Sequence, residues 1–240
     1  MFDQPHDSWA EVYDEEYTQS FGALYDMLTN KTIEVIRENT ESGKDVLDIG
    51  AGTGRISLPL VRDGYSVCAV DSSTKMLNVL KRKDSEDLIR TVNSPVQELE
   101  LNQTFDTVIC VFSVFCYLTN KPDLSASIRT IVRHTNETGY ALIDIPNIFS
   151  FSGLNYESNT LSRQVTVTEL DPETGLFKYS ENIKANDGMQ DLYYQDSFQI
   201  KYWAVEDILD EFEKAGMIVN EYLSERFIGS GADYFTLVKG

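Results

Sequence analysis

The chain has 240 residues, 42% of them apolar and 11% aromatic, enough for one domain with a sizeable core. Its 39 acidic against 20 basic residues give a formal charge of −19. That charge repels phosphate backbones and disfavours nucleic-acid partners; it either draws small cations or simply keeps the surface solvated. No apolar run is long enough to span a bilayer, and the start, "MFDQPHDSWAEVYDEEY", lacks the basic and apolar regions of a secretion signal. Cys68, Cys110 and Cys116 have no metal-ligand spacing. Free buried thiols in a cytoplasmic protein are expected.

From residue 8 to 39 apolar residues recur at three and four (Tyr13, Tyr17, Phe21, Leu24, Leu28), which predicts a helix. From Asp45 short β-branched runs, "DVLDIG", "YSVCAVD", "FDTVICVF" and "GYALIDI", alternate with helical stretches at 55–63, 74–83 and 122–134. Runs so continuously apolar suit strands covered on both faces, and the alternation implies a parallel sheet. After Pro146 the alternation stops. "LSRQVTVTELD", "GLFKYSENIKA" and "MQDLYYQDSFQIKYW" read as strands joined at the turn signals "DPETG" and "NDG". They predict an antiparallel insertion over 155–202, lying above the sheet's working edge. A helix at 205–215, stopped by Gly216, and strands near 218–223 and 234–238 complete the chain. The expected fold is therefore α/β: a Rossmann-like doubly wound sheet of about seven strands with helices on both faces and an antiparallel β insertion after the fifth strand. It divides into an N-terminal helical cap (1–40), a core (41–146), the insertion (147–202) and a C-terminal helix with the last two strands (203–240).

"VLDIGAGTGRISLPLVRDGYSVCAVDSSTKML" places three glycines between a strand and a helix. A dinucleotide fingerprint needs glycine at its first, third and sixth positions. Counting from Gly50 ends on Arg55, counting from Gly52 ends on Ser57, and the P-loop lysine is absent too. What remains is a backbone that turns tightly and lets a bulky, weakly charged ligand lie against it.

"VLDIGAGTGR" resembles motif I of the class I S-adenosylmethionine-dependent methyltransferases. "CAVDSSTKML" resembles their second-strand acid and following helix, "FDTVICVFSVFCYL" their fourth-strand motif and "GYALIDI" their fifth strand. The likeness covers about 45–144 and resumes at "YWAVEDILDEFEKAGM". The chain is most similar to the small-molecule type, including bacterial aminosugar N-methyltransferases. This resemblance implies S-adenosylmethionine as cofactor and S-adenosylhomocysteine as product. It carries the ribose diol to Asp71, whose carboxylate can accept both hydroxyls or else cap the next helix. It gives Asp48 a place near the methionine end and makes Gly50, Ala51 and Gly52 the backbone wall. Met76 lies against adenine or packs in the core, and Arg55 meets the cofactor carboxylate or faces solvent. Tyr13, Ser72, Val96, Gln97 and Val111 complete the implied cofactor set. Related sequences place an aspartate where Pro95 stands here; proline offers neither acceptor side chain nor N–H, so Asn93, Gln97 or the Val96 backbone must meet the adenine amine.

Methyl transfer to a hydroxyl needs a base, whereas an amine must only arrive unprotonated. With two histidines, His6 in an N-terminal segment able to close over a ligand and His134 near a helix end as a cap or solvent-facing residue, bases are scarce. That scarcity and the acidic surface favour a small amine, drawn in as its cation. The alternatives are O- or C-methylation, or a module that binds the cofactor without turnover. Candidate acceptor contacts are Tyr17 (orienting the nucleophile, or packing in its helix face), Phe115, Tyr117 and Tyr194, since Tyr193 and Tyr194 alternate in direction and only one can face a cleft. No metal is expected. The insertion serves as a substrate lid or, through its strand edges, as a homodimer surface.

Overall fold

The structure, a computed structural model, describes residues 4–39, 43–186 and 188–240. Thr40, at the edge of the expected cap, and Asp187 of the "NDG" turn lie outside the described residues. Strands β1 (Asp45–Ile49), β2 (Ser66–Asp71), β3 (Arg90–Asn93), β4 (Phe105–Cys110) and β5 (Thr135–Pro146) run parallel in the order β3-β2-β1-β4-β5. β11 (Ala232–Lys239) pairs antiparallel with β5, and β10 (Met217–Tyr222) with β11, giving seven strands. Apolar residues of β1 bury on both sides, as a sheet covered on two faces requires. Leu47 and Ile49 join a core with α5 (Lys121–His134) and α6 (Val205–Lys214). Val46 joins a second core with α2 (Ala23–Glu38), α3 (Ser57–Arg62) and α4 (Thr74–Lys83).

The single helix expected over 8–39 is three pieces: a 3-10 segment (Asp7–Val12), α1 (Tyr13–Phe21) and α2. Gly22 causes the second break, with φ +50° and ψ −127°, a conformation a helix cannot contain. The cap of α4 falls to Ser73, whose hydroxyl accepts the Met76 N–H at 3.0 Å, leaving Asp71 free of that duty. The insertion has four strands rather than three: β6 (Leu154–Glu157), too short to read from sequence, then β7 (Leu161–Asp171), β8 (Leu176–Asn186) and β9 (Asp191–Lys201). Asp171 organises the "DPETG" turn by accepting the Glu173 N–H and the Thr174 hydroxyl. No described helix is long and apolar enough to cross a membrane.

Two buried ionisable groups tie the parallel core together. His134 is fully buried rather than solvent-facing. Its Nδ1 lies 2.7 Å from the Thr130 carbonyl, and its Nε2 accepts the Leu101 N–H at 3.1 Å. Nδ1 therefore carries the proton of a neutral ring, and burial holds the pKa below the usual histidine range. Asp48, on β1, accepts the Ser57 hydroxyl at 2.6 Å, and burial pushes its carboxyl up to about 6 against the opposing pull of Ser57 and Arg55. The native state thus takes up this proton before the unfolded chain does. Its contribution to stability is complete below the unfolded pKa and is lost as pH rises through about 6. Between pH 8 and pH 5 the ligand-free wild type should gain about 1–2 kcal/mol in urea unfolding relative to Asp48→Asn. Parallel pH dependences would contradict this.

Candidate functional site

The loop after β1 is held from beneath. The N–H groups of Gly50 and Ala51 both donate to the Val70 carbonyl, at 2.8 and 3.0 Å, and the Gly52 N–H donates to Asp71 Oδ2 at 2.8 Å. With those amides committed, these glycines form no phosphate cradle. Gly50 has φ +72°, and a Cβ there would lie 2.5 Å from the Val114 side chain. Gly52 has φ +55°, and a Cβ there would meet open space, the space of a cavity of about 250 Å³. Asp71 also accepts the Ser73 N–H on Oδ1 at 2.8 Å, so each carboxylate oxygen keeps a lone pair toward that cavity. Burial raises its pKa, while the Ser73 and Gly52 amides oppose the rise.

This smaller cavity brings together Tyr13, Gly50, Gly52, Asp71, Ser72, Met76, Val96 and Gln97 of the expected set. The lining suits a ligand with paired hydroxyls and an apolar ring, which fits the nucleoside end of S-adenosylmethionine. Pro95 lines it as well, and Gln97 offers an amide side chain there. Asn93 does not line it; its amide is spent on the Asp71 and Ser72 carbonyls and on the Thr74 hydroxyl. Four expected residues stand elsewhere. Asp48, Ala51 and Val111 are buried behind the loop and line neither cavity. Arg55 donates to the Thr29 hydroxyl at 2.8 Å, and its guanidinium lies 4.3 Å from the Phe112 ring centre and 5.1 Å from that of Tyr25. It is neither a cavity contact nor a free surface cation.

A larger cavity of about 400 Å³ opens beside the first and shares His6, Phe112 and Tyr117 with it. Tyr17 and Tyr117 line it as expected. Phe115 does not: it is buried in the core, edge-on to Phe212 at 6.2 Å. Tyr194 packs against the Trp9–Tyr17–Tyr25 cluster without reaching the cavity, and Tyr193 points to solvent at 70% exposure, so the expected alternation of the two tyrosines is present. The insertion roofs this cavity with Leu154, Arg163, Val165, Tyr179, Phe198 and Ile200. Among the described residues no aspartate or glutamate lines it.

Phe112 takes its place because of Asp144, which sequence reasoning did not single out. Phe112 and Ser113 both adopt left-handed backbone, φ +70° and +65°, which costs a non-glycine residue about 1–3 kcal/mol. The Asp144 carboxylate on β5 accepts both of their N–H groups at 2.9 Å. Burial lifts the Asp144 pKa to about 6, and those two amides, the Tyr234 hydroxyl and the charge of Arg55 oppose the rise.

The N-terminal segment closes the junction. His6 is 6% exposed and sits edge-on to Trp9, Tyr13, Tyr117, Tyr179 and Phe198. Its N–H donates to Asp196 Oδ2 at 2.6 Å, its Nε2 lies 2.9 Å from the Tyr117 hydroxyl, and its Nδ1 faces Glu181 Oε2 at 3.6 Å. Glu181 Oε1 accepts the Arg163 Nε–H at 2.6 Å, and the Arg163 guanidinium lies 4.5 Å from the Tyr17 ring centre. Burial pushes Glu181 up, yet the neighbouring His6 and Arg163 outweigh it and hold its carboxyl below the usual range. The only sequence signal for this group was its residue types; His6 and Glu181 are 175 positions apart.

The family model for a methyltransferase domain matches residues 46–139. Among curated proteins, the Cypemycin N-terminal methyltransferase of a Streptomyces species is 28% identical over 173 residues, 68% of this chain and 71% of that protein. Further relatives, matched over smaller shares of their length, are named as both N- and O-methyltransferases. Among solved structures, an S-adenosylmethionine-dependent methyltransferase from Clostridium acetobutylicum superposes with a TM-score of 0.84 at 19% identity, covering 96% of this chain and 98% of that one. The sugar N-methyltransferase KedS8 from a Streptoalloteichus species superposes with a TM-score of 0.78 at 20% identity, covering 100% and 97%. Residues 46–139, spanning the glycine loop and Asp71, form a methyltransferase domain, and the whole chain has the fold of S-adenosylmethionine-dependent methyltransferases.

Proposed function

We propose that the protein methylates the nitrogen of a small amine held in the larger cavity, with S-adenosylhomocysteine as the second product. The observation that carries this reading is the junction: the two cavities meet at His6, Phe112 and Tyr117, so a donor in one and an acceptor in the other are neighbours. When bound, the cofactor supplies an electrophilic methyl carbon and a leaving group that departs neutral. Asp71 takes the ribose hydroxyls, Gly50 and Gly52 form the wall, Met76 and Val96 flank the adenine, and Gln97 meets its amine. Tyr13 closes the site from α1, and Tyr17 and Tyr117 orient the acceptor beneath the insertion, which acts as its lid.

An amine suits the acceptor cavity for a physical reason. The acidic exterior draws an ammonium ion from solution. The larger cavity then surrounds it with aromatic rings, serine hydroxyls and the buried Arg163 guanidinium. Desolvation and a neighbouring cation both favour the neutral amine, the form with a lone pair to give. The names of the N-methyltransferase relatives agree with this choice.

Incubation with cofactor and a panel of small amines and alcohols, scored by mass, should add a methyl group to amines. Addition to alcohols alone would contradict the acceptor reading and leave the cofactor site standing. Asp71→Ala should weaken S-adenosylmethionine binding by about 2–3 kcal/mol in calorimetry, in the range for losing charge-assisted hydrogen bonding; an unchanged affinity would remove Asp71 from the site. Tyr17→Phe should keep cofactor affinity and lower kcat. An unchanged kcat would leave Tyr17 as a packing surface for Arg163.

A further inference from the structure

We propose that Glu181, His6 and Tyr117 form a proton relay that takes the proton released by the acceptor, with Tyr117 and His6 as catalytic residues and Glu181 as their positioning residue. The relay rests on the amine-transfer reading above. Three observations carry it. His6 and Tyr117 line both cavities, so their paired polar atoms, 2.9 Å apart, stand where the donor and acceptor spaces meet. His6 Nδ1 and Glu181 Oε2 are both buried, neither has a hydrogen-bond partner, and they face one another at 3.6 Å. The other Glu181 oxygen is fixed by Arg163, so the carboxylate cannot rotate away.

A buried carboxylate facing Nδ1 favours the imidazole tautomer with its proton on that nitrogen. The Nε2 lone pair is then left for the Tyr117 hydroxyl. Burial pushes the Tyr117 pKa up, so the phenol keeps its proton until another arrives. One N–H proton of the arriving ammonium passes to the Tyr117 oxygen as the Tyr117 proton passes to His6 Nε2. The freed lone pair on nitrogen then forms its bond to the methyl carbon as that carbon's bond to sulfur breaks, and the breaking bond's electron pair stays on sulfur. The imidazolium so formed faces Glu181 from β8, and the Asp196 carboxylate from β9 accepts the backbone N–H of the same residue. The other titratable groups around it are Tyr13 from α1, Tyr179 from β8 and Asp7, next in the chain, whose carboxylate accepts the Ser73 hydroxyl. Arg163 lies beyond Glu181 on β7. The scarcity of bases read from sequence therefore no longer argues for an amine, because one of the two histidines stands at the junction.

The test uses the full chain and whichever amine of the panel the wild type turns over. His6→Asn should lower kcat roughly 100-fold, the usual scale for losing a general base, with S-adenosylhomocysteine binding largely retained. It should also remove the rising limb of kcat against pH. Glu181→Gln should move that limb to lower pH, because an imidazolium without a facing carboxylate holds its proton less well; a purely structural role would leave the limb in place. Nitrogen-15 spectra of the folded wild type, with two histidines to assign, should show the neutral His6 ring protonated on Nδ1. This readout decides the matter even where a variant fails to fold. A ring protonated on Nε2, or His6→Asn with the wild-type kcat and limb, would overturn the relay. A wild type that methylates neither amines nor alcohols would overturn the transfer reading, and the relay with it.

Discussion

The two hydrogen bonds from the Phe112 and Ser113 amides to Asp144 decide where the cavities meet. Two consecutive left-handed residues would ordinarily relax to a commoner backbone, but a buried carboxylate on the adjacent strand accepts both amides and offsets the strain. The turn then directs Phe112 between the two cavities and carries the chain on to Tyr117 at their common edge. Arg55 completes the arrangement from behind, stacked on Phe112, where its charge favours ionisation of both Asp48 and Asp144. The parallel sheet supplies the platform, and this corner at the end of β4 gives the platform a centre.

The remaining walls come from chain segments outside the sheet. The N-terminal 3-10 segment and α1 lay Trp9, Tyr13 and Tyr17 in a stack, with Tyr13 and Tyr17 ring centres 4.5 Å apart. The insertion meets that stack with Arg163, and Asp196 and Glu181 approach His6 from the same sheet. Closing the cavities therefore requires the N-terminal segment and the insertion to dock on each other, which joins the two cavities through His6.

What was legible from sequence is what lies close together in the chain. The spacing from β1 through the glycine loop to Asp71 carries the resemblance to methyltransferases and singles out Gly50, Gly52, Asp71, Ser72 and Met76, which line one cavity, because a strand, a tight turn and a second strand leave little freedom between them. α4 falls on the predicted 74–83 for the same local reason. Errors began where a backbone reversal or a distant partner decided the outcome. Gly22 split a helix whose apolar period ran on without interruption. The left-handed turn at Phe112 and Ser113 brings Phe112 to the cavities in place of the expected Phe115, which goes into the core. Arg55 had a third option, stacking on an aromatic ring, that local pattern cannot display. Arg163 and Glu181 read as ordinary strand residues; only the docking of the insertion onto the N-terminal stack makes them a buried pair beside the larger cavity.

The claim that donor and acceptor meet at the end of β4 is tested most directly by a crystal structure with S-adenosylhomocysteine and the methylated amine bound together. The ribose hydroxyls should lie on the Asp71 carboxylate, and the amine nitrogen should sit in the larger cavity within hydrogen-bond distance of the Tyr117 hydroxyl. A ribose turned away from Asp71, or an amine bound outside the space roofed by the insertion, would contradict the account.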